Sequence, residues 1–347
     1  MNHHTDKTAR DIYISFFMFT TDMKPSDEAY RNVTITHMQA LKELGYSGFE
    51  FPLAITEDTD YAQQIADYAQ LRQAMDASGL QDMKVATNVG ATPTFDPSSE
   101  DQAQRDAALV YLKSRVDITA ALRGTIMMGP IVYPYGHFPV TADNQGIWSD
   151  ALQDYMAQRY LNAQPVLNEL GLYAQDKAVK LAIEPITHWE TPGPNTLAQL
   201  IGFLEGVPCQ QVGVCLDTAH ETLDGAGPLL FKEQLDWLVQ EGRLHYAQIS
   251  PPDRGNVQDS WIPWQTLVEP LLNAHQGPIA VEIFNAIPAF LDSLRLSRRK
   301  FWIPGEDPAK PPYPSAYTIA AEALAAIHAN VPASVLRGHQ PPAAANQ

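Results

Sequence analysis

The sequence predicts one α/β domain of the (β/α)8 TIM barrel class, and three observations lead to this prediction. The chain has 347 residues, enough for a large domain with a buried core, and no shift in composition divides it. Short apolar runs recur along it, and each is followed by a longer stretch with helical apolar spacing. Eight such units close a parallel barrel. We therefore assign residues 12–330 to the barrel, with tails at 1–11 and 331–347, the second of disordered composition.

The eight predicted strands are apolar runs that end in polar residues, glycine or proline. They are 12–19, 48–52, 84–88, 125–130, 181–185, 212–217, 246–250 and 279–284. The segments between them are predicted helices, and the first carries Val33, His37, Leu41 and Leu44 at spacings of three and four residues. An alanine-rich helix over 313–330 completes the outer ring.

Two connections are longer than a barrel needs, and long loops in compact domains are usually functional or disordered. The loop after strand four, residues 129–148, carries several aromatic residues and His137. The loop after strand eight carries a basic run, Arg298, Arg299 and Lys300. Both loops leave the strand ends that form the catalytic face of such a barrel. We expect the first loop to cover the mouth, whereas the second either covers the mouth or packs for stability.

Charge and cysteine content exclude several classes of protein. The chain has 40 Asp and Glu against 23 Lys and Arg, so its net charge of -17 would repel a nucleic acid backbone. Cys209 and Cys215 are too few for a disulfide framework, which indicates a reducing compartment. The sequence has no apolar run long enough to span a membrane and no apolar core of a signal peptide. We therefore expect a cytoplasmic protein with no nucleic acid or membrane partner.

Four consecutive predicted strands end in a residue with a side-chain oxygen: Glu184, Asp217, Gln248 and Glu282. The separations between them are 33, 31 and 34 residues, each about one strand–helix unit, which places the four residues at one level. Successive side chains of a barrel strand point alternately to the barrel interior and to the surrounding helices. The residues that alternate with these four in the strands are apolar, which suits the side that packs against the helices. The four oxygen-bearing side chains are therefore predicted to converge inside the mouth.

Three carboxylates that converge in a buried site repel one another, which raises their pKa values unless a cation lies between them. The alternative is a hydrogen-bonded network with Arg254 or Arg243, but strand ends at this face of a barrel are typical catalytic positions. Oxygen donors suit Mn²⁺ or Mg²⁺ better than Zn²⁺, and Co²⁺ also remains open. We predict one divalent metal, with Mn²⁺ as first choice. Its predicted ligands are Glu184, Asp217, Gln248 and Glu282.

Four motifs contain these residues. They are E-P-x-x-H-x-E from Glu184 to Glu190, D-T-A-H from Asp217 to His220, AQISPPDRG with Gln248 and Arg254, and VEIF with Glu282. Over roughly residues 12–295 the chain resembles the xylose isomerase-like barrel superfamily of sugar isomerases and epimerases, especially the ketose 3-epimerases. The resemblance implies that Glu184 and Glu282 bind the metal and also act as catalytic acid/base groups beside a carbonyl. It also implies that Asp217 is a ligand and that His220 and Arg254 contact the substrate.

Gln248 departs from the family pattern, which usually has histidine at this position. Nearby His245 has the parity of the helix-facing side, so we expect Gln248 to be the fourth ligand instead.

Other residues near the mouth are candidates for substrate binding or catalysis. Glu50, at the end of strand two, has the parity to bind hydroxyl groups. His188 and Glu190 follow strand five. His188 either contacts the substrate or supports a residue that does, and Glu190 is either a substrate contact or a surface residue. His137 is an additional catalytic base if its loop folds inward, and otherwise an exposed loop residue.

The leading hypothesis is a metal-dependent epimerase or isomerase that moves a proton next to the carbonyl of a keto sugar through an enediolate. The alternative is a lyase that cleaves a 3-keto-glycoside by metal-assisted elimination, because the chain also resembles catalytic subunits of C-glycoside deglycosidases. His137 as an extra base and the aromatic loops favour this lyase. A sugar-binding barrel without activity is the third hypothesis, although binding alone does not need two glutamates at a metal. A homo-oligomer and a small partner subunit both remain open.

Overall fold

Eight parallel strands close into a barrel in sequence order, so that β1 pairs with both β2 and β8. The computed structural model describes residues 9–53, 55–285, 301–309, 311–337 and 339. The strands are β1 Ile12–Ser15, β2 Gly48–Pro52, β3 Lys84–Asn88, β4 Ile126–Gly129, β5 Lys180–Ile183, β6 Val212–Asp217, β7 Leu244–Ile249 and β8 Ile279–Val281. The (β/α)8 class predicted from the sequence is confirmed. The basic run of Arg298, Arg299 and Lys300 lies outside the described residues.

Helices surround the barrel and connect its strands. They are α1 Glu28–Leu44, α2 Tyr61–Ala77, α3 Gln102–Ala121, α4 Ser149–Asp176, α5 Leu197–Glu205, α6 Thr218–Asp224, α7 Pro228–Gln240, α8 Glu269–Ala274 and α9 Ala316–Asn330. Local sequence sets their ends: Asp27 accepts the N–H of Tyr30 at the start of α1, and Gly45 ends it with φ of 108°. Among these helices, none is long and apolar enough to cross a membrane.

The ends of predicted strands one and eight differ most from the structure. Strand one was predicted over 12–19 but ends at Ser15, because its hydroxyl accepts the N–H of Phe17 and a 3-10 turn follows over Phe16–Met18. Strand eight was predicted over 279–284 but ends at Val281. The last residues of these predicted strands therefore belong to loops at the mouth of the barrel.

Two separate apolar clusters show which strand side chains face the barrel interior. The interior cluster is Tyr13, Ala86, Ile126, Met128, Ala182, Cys215, Tyr246 and Ala280. The cluster shared with the helices includes Leu181, Ile183, Val214, Leu216, Ala247, Ile249, Ile279 and Val281. This division confirms the predicted parity of strands five to eight. His245 has the parity of the second cluster, and its Nδ1 lies 3.0 Å from the carbonyl oxygen of Leu181.

Gly48 on β2 makes room for an aromatic ring inside the barrel. A Cβ at this position would lie 2.4 Å from the ring of Tyr13 and 2.8 Å from the carbonyl oxygen of Lys84. We therefore expect Gly48→Ala to lower the free energy of unfolding by about 1–3 kcal/mol, because the added methyl group overpacks the interior. Denaturant titration measures this change. The control is Gly202→Ala, whose added Cβ has no atom within 4 Å, and equal unfolding free energies for the two variants would contradict this packing.

Candidate active site

A pocket opens at the carboxyl ends of the strands and holds about 610 Å³ of space, including the part open to solvent. Its polar lining includes Asn88, Glu184, Glu190, His220, Arg254 and Glu282. Its apolar lining includes Phe17, Pro52, Leu53, Ile55, Ile186 and Phe284. The pocket therefore combines a charged floor with an apolar wall, as is common in sites for small organic ligands.

The three carboxylates predicted at this face lie where strands end. Glu184 follows β5, and its backbone N–H donates to the carbonyl oxygen of Gly129 at the end of β4. Glu282 follows β8, and its backbone N–H donates to the carbonyl oxygen of Ile249 at the end of β7. Asp217 is the last residue of β6 and the N-cap of α6. All three are buried, at 4 %, 2 % and 1 % exposure. The barrel thus brings these three carboxylates together, as the spacing predicts.

Arg254 connects two of these carboxylates. Its Nη1 donates to Asp217 Oδ2 at 2.7 Å and to Glu282 Oε2 at 3.2 Å. Asp217 Oδ1 accepts the N–H of Ala219 at 2.7 Å, so both oxygens of Asp217 are held. Arg254 has φ of 57°, a backbone conformation that is uncommon outside glycine and often found at functional sites.

His220 lies in the first turn of α6 and faces the same cluster. Its Nε2 is 3.5 Å from Glu184 Oε1 and 3.6 Å from Asp217 Oδ2. One ligand atom from each of these three residues lies within 4.8 Å of the others, a group that could hold a metal ion.

The hydrogen bonds of His220 determine what its ring can do. Its Nδ1 accepts the backbone N–H of Thr187 at 3.0 Å, and Arg254 Nη2 lies 2.7 Å from its Nε2. A neutral imidazole has only one acceptor nitrogen. Both neighbours are donors, so each ring nitrogen of His220 already has a partner, and the carboxylates are the better candidates for metal ligands.

Burial and mutual repulsion shift the titration of the cluster. The pKa of Glu184 and that of Glu282 are raised well above their usual value by burial and by the charge of Asp217. Burial also raises the pKa of Asp217, although Arg254 opposes this. Burial and the nearby guanidinium lower the pKa of His220, so its ring is neutral at pH 7. In the described part of the site, Arg254 is the only cation that contacts these carboxylates, and such an excess of buried negative charge fits a divalent cation.

Gln248 and Glu50 lie beside the cluster, both fully buried and neither among the described lining residues of the pocket. Gln248 Nε2 is 3.0 Å from Glu282 Oε1 and 3.1 Å from each oxygen of Glu50. Gln248 as a fourth ligand stays a prediction, and in the structure its amide nitrogen faces the carboxylates. Burial raises the pKa of Glu50 to about 7, against hydrogen bonds from Ser15, Asn88 and Gln248 that lower it.

The remaining predicted residues differ in their access to the pocket. Glu190 lines it and accepts a hydrogen bond from Tyr135 at 2.8 Å. His188 is exposed, and its Nδ1 lies 2.7 Å from Asp224 Oδ1. His137 is also exposed, and neither histidine is among the described lining residues of the pocket.

Sequence reasoning missed Asn88, Phe17 and Phe284. Asn88 is the last residue of β3, so the rule that selected polar residues at strand ends could have found it. The rings of Phe17 and Phe284 stack with centroids 4.9 Å apart, and Arg254 lies over Phe284 at 5.1 Å. Both phenylalanines lie in the last residues of predicted strands, and these residues are not part of the strands in the structure. The strand prediction therefore did not indicate that they line the pocket.

Comparisons with known proteins support a common fold and related sequences. A family model described as xylose isomerase-like TIM barrel matches residues 38–300. The chain is 24 % identical over 277 residues to a ketose 3-epimerase of Arthrobacter globiformis, which covers 78 % of this chain and 85 % of the relative. It is also 24 % identical over 231 residues to an L-ribulose 3-epimerase of a Methylomonas species, covering 65 % of this chain and 74 % of the relative.

Solved structures are similar over almost the whole chain. One from Anabaena variabilis, whose function is named only provisionally as a sugar phosphate isomerase/epimerase, aligns with a TM-score of 0.90 and 59 % identity. That alignment covers 93 % of this chain and 98 % of the other. A structure of an L-ribulose 3-epimerase aligns with a TM-score of 0.69 and 18 % identity over 93 % of this chain and 94 % of the other, which is a likeness of fold alone.

Proposed function

Because the chain belongs to the xylose isomerase-like TIM barrel family, we propose that it is a sugar epimerase or isomerase that depends on a divalent metal. The observation that carries this proposal is the convergence of Glu184, Asp217 and Glu282 at the catalytic face of the barrel, where Glu184 and Glu282 line the pocket. The two curated relatives, both named as 3-epimerases, support it further. Their names suggest a keto sugar as substrate.

The metal would be held by the oxygens of Glu184, Asp217 and Glu282. Carboxylate oxygens are hard donors, which favours Mn²⁺, with Mg²⁺ and Co²⁺ as alternatives. When bound, a divalent cation supplies positive charge beside the sugar carbonyl and so acidifies the neighbouring C–H bond.

Two carboxylates are available to move the proton. Glu184 follows β5 and Glu282 follows β8, three strands further around the barrel, and both line the pocket. In our proposal one of them takes the proton from the carbon beside the carbonyl, which leaves an enediolate of the sugar. The other, which starts as the protonated acid, gives its proton to the opposite face, which inverts that carbon and leaves this group as the carboxylate. Epimerisation needs such a pair of groups, whereas simple binding does not.

Arg254, His220 and Glu190 would orient the sugar. Arg254 Nη2 and His220 Nε2 lie 2.7 Å apart on the lining of the pocket, so a sugar oxygen beside them would contact both. A sugar carbonyl or hydroxyl oxygen can fill this role. Glu190 lies 3.8 Å from Arg254 Nη2 and offers an acceptor for a sugar hydroxyl.

Activity of metal-loaded and metal-depleted protein tests the proposal. Each form is incubated with free ketoses and with 3-keto-glycosides, and the products are separated by chromatography. We expect interconversion of ketose epimers that is lost on metal removal and restored by Mn²⁺. If the metal-loaded protein converts none of these substrates, the proposed function is wrong.

A lyase that cleaves a 3-keto-glycoside is the second candidate, because the apolar wall of the pocket could contact an apolar aglycone. Phe17, Leu53, Ile55 and Phe284 belong to that wall. Release of the aglycone from a 3-keto-glycoside in the same assay would identify this reaction instead.

His137 separates the two candidates. Because it is exposed and absent from the described pocket lining, we expect His137→Ala to change kcat by no more than about twofold, the usual size for a surface substitution. Steady-state kinetics of the variant measure this. A loss of about 100-fold or more would show that His137 acts in the reaction and would favour the lyase.

A further inference from the structure

We propose that Gln248 is a positioning residue which, together with the neighbouring Glu50, fixes the orientation of the Glu282 carboxylate, and that Gln248 is not itself a metal ligand. This inference rests on the proposed function, because it assigns a role relative to Glu282 as a proton-moving group. It concerns two fully buried side chains: Gln248, which contacts Glu282, and Glu50, which contacts Gln248.

The hydrogen bonds of Gln248 indicate which way its amide faces. Nε2 lies within 3.1 Å of both oxygens of Glu50 and of one oxygen of Glu282, so its two N–H groups have carboxylate acceptors. Oε1 accepts the thiol of Cys215 at 3.4 Å. A reversed amide would place its oxygen against three carboxylate oxygens. Glu50 therefore sets the amide orientation, and this orientation directs no oxygen of Gln248 toward the carboxylate cluster.

Glu282 is held from two sides as a result. Gln248 binds its Oε1 at 3.0 Å, and Arg254 Nη1 binds its Oε2 at 3.2 Å. The carboxylate cannot rotate without breaking both contacts, so one oxygen stays tied to the barrel interior and the other stays near Asp217 and Arg254. Because this reacting group is already oriented before the reaction, less free energy is needed to orient it in the transition state.

Glu50 is a costly group in this position, which supports a role for it. It is fully buried, and the hydrogen bonds that reach it from Ser15, Asn88 and Gln248 come from neutral side chains. A buried carboxylate without a cationic partner lowers stability. A neutral residue of similar size would avoid this cost, yet it would not offer Gln248 Nε2 the two acceptor oxygens that Glu50 presents.

The test uses Gln248→Leu, Glu50→Gln and the double variant, with kcat, KM and the dissociation constant of Mn²⁺ measured for each by kinetics and calorimetry. We expect kcat to fall about 10-fold to 100-fold in each single variant, the range for residues that support a metal-site side chain. KM should stay within about threefold of the unmodified protein, and the Mn²⁺ dissociation constant should rise by less than about 100-fold, because Glu282 is itself a proposed ligand. Gln240→Leu, an exposed change of the same type, is the control for Gln248→Leu.

The double variant provides the second criterion. If Glu50 acts through Gln248, the double variant should be no slower than the slower single variant, because both changes remove the same support. Effects on kcat that multiply in the double variant would overturn the proposal. An unchanged kcat in Glu50→Gln would overturn it too, and this neutral isostere serves as the measurement if Gln248→Leu does not fold.

Metal titration also separates this inference from the proposed function. An increase of about 100-fold or more in the Mn²⁺ dissociation constant of Gln248→Leu would make Gln248 a ligand and overturn its positioning role. If the unmodified protein binds Mn²⁺ and converts a sugar while the variants match it in kcat, the inference fails and the proposed function stands. If the unmodified protein binds no metal, both fail. If it binds metal but converts no sugar, an unchanged dissociation constant in Gln248→Leu still supports its exclusion as a ligand.

Discussion

Replacement of Glu282 by glutamine should reduce turnover by about 10³-fold or more while the protein remains folded. Glutamine has nearly the same size, so the barrel packing is kept, but it cannot accept a proton from carbon. It also removes a charge from the contact with Arg254 at 3.2 Å. Steady-state kinetics and a denaturation curve measure the two effects separately.

The matched control for this variant is Glu205→Gln, because Glu205 is an exposed glutamate at the end of α5. It should have unchanged turnover. Near-normal turnover of Glu282→Gln would remove Glu282 from the reaction, whereas a loss of folding in that variant would show that Glu282 is mainly structural.

Asp217→Asn should weaken metal binding by about 100-fold or more, and activity at limiting metal should fall in proportion. Asp217 is 1 % exposed, and an amide supplies a weaker ligand oxygen without the negative charge that attracts a cation. Calorimetric titration of the metal-free protein with Mn²⁺ measures the change. Because the side-chain oxygen of the new amide could still cap α6, we expect the fold to survive.

Asp236→Asn is the control for this second prediction, since Asp236 is exposed and pairs only with Lys232 among its described contacts. It should bind Mn²⁺ like the unmodified protein. Equal affinities for the two variants would argue that the carboxylate cluster is a network held by Arg254 and not a metal site.

The sequence predicted the barrel and the core of the site because both depend on regular spacing. One strand–helix unit separates each of the residues Glu184, Asp217, Gln248 and Glu282, and strand alternation places them on one side. These periods follow from backbone geometry, so no knowledge of side-chain contacts is required.

Features that depend on loops or on distant contacts could not be predicted in this way. Gln248 meets Glu50 across 198 residues of sequence, so the orientation of its amide is set by a side chain that its own strand does not reveal. The exposed position of His137 depends on the path of a long loop, for which no period exists. Ser15 ends β1 early because of a local turn, which moved Phe17 from a predicted strand to the pocket lining.

The most direct test of the account is proton exchange at carbon in deuterated water. The Mn²⁺-loaded protein is incubated with ketose substrates, and the products are examined by NMR. The account predicts deuterium at the carbon beside the carbonyl together with inversion of that carbon, and the inversion should be lost with Glu282→Gln. Inversion without deuterium, if it persists at low conversion and low protein concentration, or inversion that is equally fast in the variant, would contradict proton transfer by the carboxylates of this site.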